Sequence, residues 1–266
     1  MSSRSRDEEI FHDQFAKNYN LDQIDVRRYF DQETSLEYRQ VLKQMGKIKN
    51  QKILDLGCGL GESAVFLALK GARVTALDIS QQMLHVVNLL AKKYRVTRRL
   101  TTVKSQAEKL PLPDSSFDLV FGGNVLHHVN INQAAQEIHR VLKPQGQAFF
   151  IEPLGYNPLI NLYRRLSRDV HTKMERPFLF SDIKLLGKHF RQVSHQESQL
   201  LTTLIFVWFF LVEGQDPRRV PYWKKFIEQG HKYKTAFKIL HQLDNLVLKF
   251  PPLRYLCWNT QIHLKK

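Results

Sequence analysis

The chain has 266 residues, 43% hydrophobic and 24% charged, which is enough to bury a full core and ordinary for a globular protein. Its two cysteines, Cys58 and Cys257, give neither a disulfide framework nor a metal-ligand pattern, which favours a reducing compartment. The N-terminus lacks the apolar stretch of a secretion signal, and the longest apolar run, 200–212, is too short to cross a bilayer. We therefore expect a cytoplasmic protein.

The formal net charge of +15 is spread unevenly. Residues 1–50 carry nine basic and nine acidic side chains, whereas residues 200–266 carry eleven basic and four acidic ones. Such a field can attract nucleic acid, anionic lipid or an acidic small molecule. A solvated basic face explains the same excess equally well.

Apolar runs typical of strands alternate with helix-like patterns between residues 51 and 152. This alternation predicts right-handed βαβ crossovers and a parallel sheet covered on both faces. Ligands of such sheets bind at the carboxyl ends of the strands. The predicted strands are 51–56, 72–78, 100–104, 117–122 and 146–152, and the predicted helices are 61–70, 80–92 and 131–142.

The stretch 54–62 reads LDLGCGLGE, with glycines at positions 57, 59 and 61 between a strand and a helix. Glycine tolerates a positive φ and has no Cβ, so this turn can bring bare backbone against a nucleotide-like ligand. A dinucleotide-binding G-x-G-x-x-G pattern would require its third glycine at position 62, which is Glu62.

The D-x-G-x-G-x-G arrangement that begins at Asp55 resembles the first motif of class I S-adenosylmethionine-dependent methyltransferases. Three later segments, 72–80, 105–129 and 137–153, resemble that family's following motifs in the same order. The likeness is strongest to the methyltransferase type 11 branch, which includes the ubiquinone and menaquinone C-methyltransferases. It implies a Rossmann-like α/β fold with a mainly parallel seven-stranded sheet, helices on both faces and a helical cap.

The resemblance also suggests how the rest of the chain is organised. Residues 1–50 are expected to form an N-terminal helical lid, and residues 51–199 the Rossmann-like core. Residues 200–258, which hold all three tryptophans, are expected to be a helical insertion that caps the substrate. Residues 259–266 would return as the final, antiparallel strand. Within the core, residues 155–168 and 180–190 predict helices and residues 191–199 a strand.

The cofactor implied by the family is S-adenosyl-L-methionine, and no metal is implied. Gly57 and Gly59 would let the backbone approach its methionyl and ribose portions, while Asp55 would orient the loop or meet the amine through water. The residues expected to contact the cofactor are Tyr19, Asp55, Gly57, Cys58, Gly59, Glu62, Asp78, Ile79, Met83, Gln106, Ala107, Glu108 and Asn124.

Asp78 ends the second predicted strand, where its carboxylate would accept hydrogen bonds from the two ribose hydroxyls. The alternative is that Asp78 caps the helix that begins near Ser80. Gln106 departs from the family pattern, which has an acid there for the adenine amino group. Its amide oxygen can accept the same hydrogen bond without a charge.

His127 and His128 follow the fourth strong strand and are the candidates for a catalytic base, since histidine titrates near neutral pH. The L-H-H-V segment is common in the family whatever the acceptor, so a positioning or packing role is equally compatible.

The acceptor is expected to be small and apolar, aromatic or lipid-like, because the insertion is rich in Phe, Leu, Trp and Tyr. The sequence after the fourth strand lacks the proline motif of enzymes that methylate exocyclic base amines, which disfavours nucleic acid. The alternatives are an RNA methyltransferase that uses the basic C-terminal part and a non-catalytic partner protein. The apolar and basic insertion also suggests peripheral association with an anionic membrane. The sequence does not indicate the oligomeric state.

Overall fold

The computed structural model describes residues 3–17, 19–32, 34–167 and 176–266 of the chain. Its strands are β1 (Lys52–Leu56), β2 (Arg73–Asp78), β3 (Leu100–Lys104), β4 (Phe117–Gly123), β5 (Leu142–Pro153), β6 (Gln192–Ser198) and β7 (Asn259–Lys265). Its helices are α1 (Ser3–Lys17), α2 (Arg28–Asp31), α3 (Leu36–Met45), α4 (Glu62–Leu69), α5 (Gln81–Lys93), α6 (Ile131–Val141), α7 (Pro158–Leu166), α8 (Phe180–Gly187), α9 (Leu204–Leu211), α10 (Tyr222–Glu228) and α11 (Lys234–Val247).

These strands form a single sheet in the order β3-β2-β1-β4-β5-β7-β6. The five strands β1 to β5 pair in parallel, whereas β7 is antiparallel to both of its neighbours, β5 and β6. The predicted fold class is therefore confirmed. The order reverses at the β1–β4 pair, which is where an open parallel sheet leaves a crevice at the carboxyl ends of its strands.

Successive residues of the central strands are buried on opposite faces of the sheet. Ile53 and Phe121 pack with α3, α4 and α5, while Leu54 and Phe150 pack with α6 and α8. Both faces of β1, β4 and β5 are covered, which explains why these strands read as almost continuous apolar runs.

The predicted strands and helices of the core lie within three residues of the observed ones, apart from the start of β5. That strand begins at Leu142, which pairs with Phe117, and the next pair joins Leu119 to Gln147. The intervening residues form a bulge in which Gln145 has φ +66°. This segment contains a proline and a glycine, which are uncommon inside strands, so the sequence pattern predicts too late a start for β5. Residue 168, the last of the predicted helix 155–168, lies outside the described residues.

Between β6 and β7 the chain forms α9, α10 and α11, which share a hydrophobic cluster with α7. Phe206, Phe209 and Phe226 pack there against Tyr163 and Tyr222. Among the described helices, none combines the length and apolarity needed to cross a bilayer. Residues 200–258, for which the name cap is kept below, thus pack together with α7 around one small hydrophobic cluster.

We expect Phe209→Ala to lower the free energy of unfolding by about 3–5 kcal/mol, because Phe209 is fully buried in the cap cluster. Phe210→Ala is the matched control, since its ring is 52% exposed. That change should cost less than about 1 kcal/mol. Urea unfolding followed by circular dichroism compares the two; equal losses would mean that the cap is packed differently.

Candidate active site

A cavity of about 410 Å³ lies at the carboxyl ends of the parallel strands. The loops after β1, β2, β3 and β4 form one side of it, and α1, α3, α10 and the start of β7 form the other. Of the thirteen residues predicted to contact the cofactor, the structure places eleven on its wall. They are Tyr19, Gly57, Gly59, Glu62, Asp78, Ile79, Met83, Gln106, Ala107, Glu108 and Asn124.

The glycine turn presents two different surfaces. Gly57 has φ +66°, and a Cβ there would lie 2.4 Å from Cγ2 of Val125, so this glycine lets the turn pack against the loop after β4. Gly59 has φ +51°, and a Cβ there would meet nothing within 4 Å. Backbone at Gly59 is therefore open to a ligand in the cavity, and a side chain would both be strained and occupy that space.

Asp78 joins the glycine turn to the end of β2. Its Oδ2 accepts a hydrogen bond from the Gly59 N–H (2.9 Å) and its Oδ1 accepts one from the Ser80 N–H (2.9 Å). The alternative role predicted for Asp78 is to cap helix α5. Ser80 provides that cap instead, since its Oγ accepts a hydrogen bond from the Met83 N–H at 3.0 Å. Each carboxylate oxygen keeps capacity for a further donor. The ribose contact stays a prediction.

Asp55 and Cys58, the other two predicted residues, are buried and do not line the cavity. Burial, together with the charge of Asp78, raises the pKa of Asp55 to about 8, against a hydrogen bond with the Ala64 backbone that lowers it. Burial raises the pKa of the Cys58 thiol as well. A role of either residue toward a cofactor would therefore act through the shape of the loop.

The loop after β4 is held by Glu152, which is fully buried near the end of β5. One carboxylate oxygen accepts from the N–H groups of Val125 (2.9 Å) and Leu126 (2.8 Å), and the other lies 2.6 Å from Nδ1 of His127. His128 Nδ1 lies 3.2 Å from a carboxylate oxygen of Glu8 on α1. Both predicted histidines line the cavity, each paired with a carboxylate.

Gln106, at the position where the family has an acid, accepts a hydrogen bond from Ser5 Oγ of α1 through its Oε1 (3.3 Å). Glu108 accepts the Asn130 N–H (2.7 Å), so it also ties the loop after β3 to the start of α6. Glu62 lies in the first turn of α4, where the helix dipole favours a negative charge. Helix α1 thus covers the side of the cavity on which adenine binding was predicted.

The far wall was not identified residue by residue from the sequence. Glu37 of α3 is buried there; its carboxylate accepts hydrogen bonds from Ser198 Oγ (2.5 Å) and Gln199 Nε2 (2.9 Å). Burial raises the pKa of Glu37, against the hydrogen bonds that lower it. Helix α3 also carries Arg39 and Lys43, so nothing in the local sequence distinguishes Glu37 as a site residue. Its partners lie more than 160 positions away, so no local pattern could identify them.

The wall of the cavity is acidic, although the protein is basic. Among the described residues the wall has five carboxylates and one guanidinium, with no lysine. The carboxylates belong to Glu8, Glu37, Glu62, Asp78 and Glu108, and the guanidinium to Arg164. The cavity therefore favours cationic or neutral ligands over polyanions.

The raised pKa of Asp55 predicts a pH dependence of stability. An unfolded aspartate has a pKa near ~3.9, so between about pH 4 and pH 8 the folded state keeps a proton that the unfolded state has lost. The free energy of unfolding should therefore fall as pH rises, by at most about 1.4 kcal/mol per pH unit from this group. Asp55→Asn should remove that slope, and its stability relative to the wild type should rise from about pH 5 to about pH 8.

Asp118→Asn is the control for this measurement by urea unfolding. Burial opposes the shift, but the hydrogen bond from Lys143 and that from the Lys52 backbone hold the pKa of Asp118 below its usual value. Asp118 therefore titrates below this range, and its variant should differ from the wild type by a constant amount. An Asp55→Asn variant that kept the wild-type slope would contradict the assignment.

Residues 54–150 match the methyltransferase domain family. The chain is 39% identical over 114 residues to demethylmenaquinone methyltransferase of Chlorobaculum tepidum, covering 42% of this chain and 45% of that protein. It is 32% identical over 188 residues to malonyl-[acyl-carrier protein] O-methyltransferase of a Methylovorus species, covering 63% of each. The chain thus spans about half the length of the curated relatives that it matches.

A likeness in fold extends over almost the whole chain. The structure of phosphoethanolamine N-methyltransferase 2 of Haemonchus contortus, solved with phosphomonomethylethanolamine and S-adenosylhomocysteine, superposes with a TM-score of 0.59 at 19% identity. The match covers 96% of this chain and 59% of that one. At this identity the likeness concerns the fold alone. The domain matched over residues 54–150, the curated relatives and the fold all agree with the resemblance of the sequence to the class I S-adenosylmethionine-dependent methyltransferases.

Proposed function

We propose that the protein transfers a methyl group from S-adenosylmethionine to a small apolar, aromatic or lipid-like acceptor held between the core and the cap. The observation that carries this proposal is the single cavity that joins the glycine turn to an aromatic wall. That wall comes from the cap and from α7, and includes Tyr163, Trp223, Phe226 and Trp258. An apolar cavity with a few polar groups is the usual form of a small-molecule site.

The residues on the core side fit the cofactor. Open backbone at Gly59 allows the close approach that a nucleoside needs, and the Asp78 carboxylate lies beside it at the strand end. Gln106 offers an amide group for adenine. The acidic wall suits a ligand that carries an ammonium and a sulfonium group.

The charge of the cavity also limits the chemical class of acceptor that it can bind. Five carboxylates against one guanidinium, counted over the described part of the chain, disfavour a phosphate-rich acceptor. The basic excess of residues 200–266 lies largely outside the cavity, which weakens the alternative of an RNA methyltransferase. The other alternative, a non-catalytic partner protein, has no observation in its favour.

Bound S-adenosylmethionine would supply a methyl carbon that its sulfonium makes electrophilic. The protein's main contribution is then to align the acceptor for in-line displacement. Where the acceptor must also lose a proton, His127 is the better placed histidine, because Glu152 orients its ring. With Nδ1 engaged by Glu152, the proton would pass to Nε2.

Two relatives are named for menaquinone and acyl-carrier chemistry, which supports a lipid-like acceptor. We include in the proposal a cytoplasmic location with peripheral contact to an anionic membrane, from which such an acceptor would be collected. The division into a lid (1–50), core (51–199), cap (200–258) and last strand (259–266) is part of the same proposal.

The proposal is tested by incubating the purified protein with methyl-labelled cofactor and fractionated cell extract. Label recovered in a small, organic-soluble product is the expected result. Label recovered in RNA would favour the alternative, an RNA methyltransferase. Calorimetric binding of the cofactor with no label transferred to any fraction would favour a non-catalytic protein.

Gly59→Val should abolish binding of S-adenosylmethionine, because the side chain would fill the open space at the glycine turn. Gly46→Val is the matched control: Gly46 also has a positive φ (+69°) and open space around its Cβ position, but lies outside the cavity. It should carry the backbone strain without the loss of binding.

Asp78→Ala should weaken binding of S-adenosylmethionine by about 1.5–3 kcal/mol, or roughly tenfold to a hundredfold. Calorimetry measures all three; a folded Gly59→Val protein of normal affinity would contradict the cofactor site.

A further inference from the structure

The outer surface of the cap is unusually apolar. Sixteen large hydrophobic side chains are exposed among the described residues, and eleven of them lie in residues 200–258. These eleven are Leu204, Trp208, Phe210, Leu211, Val212, Ile239, Leu243, Leu246, Phe250, Tyr255 and Leu256. Scattered exposed apolar residues are ordinary, but such a concentration in one segment indicates an interaction surface.

Helix α9, with the sequence LIFVWFFL, has no polar residue. Its inner side, represented by Phe206 and Phe209, is buried in the cap cluster. Its outer side presents Leu204, Trp208 and Leu211 at i, i+4 and i+7, and Leu211 is 71% exposed. A helix that is apolar on all sides is normally buried on all sides. The outer side of α9 therefore lacks a partner within the described part of the chain.

Helix α11 repeats the arrangement. Ile239, Leu243 and Leu246 form an exposed stripe at i, i+4 and i+7, which Phe250 continues. The opposite side of this helix carries Phe237, which packs into the cap cluster. The apolar stripe is thus turned away from the core of the cap.

The charged side chains around the α11 stripe are almost all basic, whereas Glu213 and Asp216 follow α9. Lys234, Lys238, Lys249 and Arg254 are exposed on or just beyond α11. The only acidic residue between positions 230 and 266 is Asp244. Asp244 is buried, where its carboxylate accepts hydrogen bonds from the N–H groups of Leu201 (2.6 Å) and Leu200 (3.3 Å).

We propose that the outer surface of α9 and α11 docks on an anionic membrane. Apolar stripes flanked by basic side chains are the composition of helices that lie in the interface of a bilayer, and helices of eight and fourteen residues are too short to cross it. Trp208 and Tyr255 are residue types that favour the headgroup level. The basic flank favours an anionic lipid surface over an apolar patch on another protein.

Helix α7 packs in the hydrophobic cluster of the cap and also lines the active-site cavity. Its Leu162 and Leu166 are exposed, while Ile160, Tyr163 and Arg164 line the cavity. A protein docked through the cap would thus hold its acceptor wall near the lipid. The role that we give to docking, which is the collection of a lipid-like acceptor from the membrane, rests on the proposed function. The docking itself requires neither cofactor nor acceptor.

The test is flotation of the full chain with vesicles of phosphatidylcholine alone and with added phosphatidylserine. We expect flotation with the anionic vesicles and little with the neutral ones. It should weaken between about 0.1 M and about 1 M salt, because the Debye length falls from about 10 Å to about 3 Å. No flotation with anionic vesicles at low salt would overturn the proposal, whereas failure of methyl transfer would leave this result unchanged.

Paired variants locate the surface. Trp208→Ser with Leu211→Ser, and separately Ile239→Ser with Leu246→Ser, should raise the lipid concentration for half-maximal flotation by about tenfold or more. Leu69→Ser, on the exposed end of α4, is the apolar control and should change nothing. Lys238→Gln with Lys249→Gln should weaken binding to anionic vesicles about tenfold or more. Lys92→Gln with Arg98→Gln removes the same charge from a surface outside the cap.

Each variant is first shown to be folded by its circular dichroism spectrum and its urea unfolding midpoint, which need no cofactor. Losses in the control variants equal to those in the cap variants would overturn the location of the surface. Light scattering tests whether a second copy of the chain occupies this surface instead of a membrane. If the wild type is a dimer, the cap variants are monomers and neither floats with vesicles, then the surface joins two copies of the chain.

Discussion

The active-site cavity depends on one topological constraint, the reversal of strand order between β1 and β4. The chain leaves β1 toward the face covered by α4 and leaves β4 toward the face covered by α6, so two neighbouring strands diverge at their carboxyl ends. No backbone fills the space between them, and the loops on either side are free to carry function. The glycine turn, Asp78, Gln106 and the two histidines are brought together there although 71 positions separate the first from the last of them in sequence (57 to 128).

Much of the core could be predicted from sequence because its signals are local. Buried strands such as β4 are short apolar runs, and the turns between strand and helix carry glycine, serine or asparagine at capping positions. The far wall of the cavity has no such signal. Glu37 contacts Ser198 and Gln199 across more than 160 positions of the sequence, so its place in the site follows from tertiary packing. The same holds for α1, whose weak amphipathic pattern gives no indication that it lies over the cavity.

The protein separates its charges by location. Carboxylates concentrate around the cavity, while in the cap lysine and arginine outnumber aspartate and glutamate by nine to four. Burial of Asp55 and Asp78 at the strand ends raises the pKa of both, so the site holds acids in an environment that resists their ionisation. A positive ligand would relieve that cost, and the site is therefore complementary to cations before any ligand arrives. The net charge of the whole chain conceals this arrangement.

The cap begins and ends at paired positions of the sheet, since Ser198 of β6 and Asn259 of β7 are direct partners in the antiparallel ladder. The cap is in this respect an insertion into a single hairpin, and its two ends stay in register whatever lies between them. Closing a longer or shorter loop at such a point changes the entropy of folding only slowly with length. The cap can therefore diverge in length and sequence while the rest of the sheet keeps its geometry. The part of the cavity wall that the cap supplies can thus change separately from the part supplied by the loops after β1 to β4.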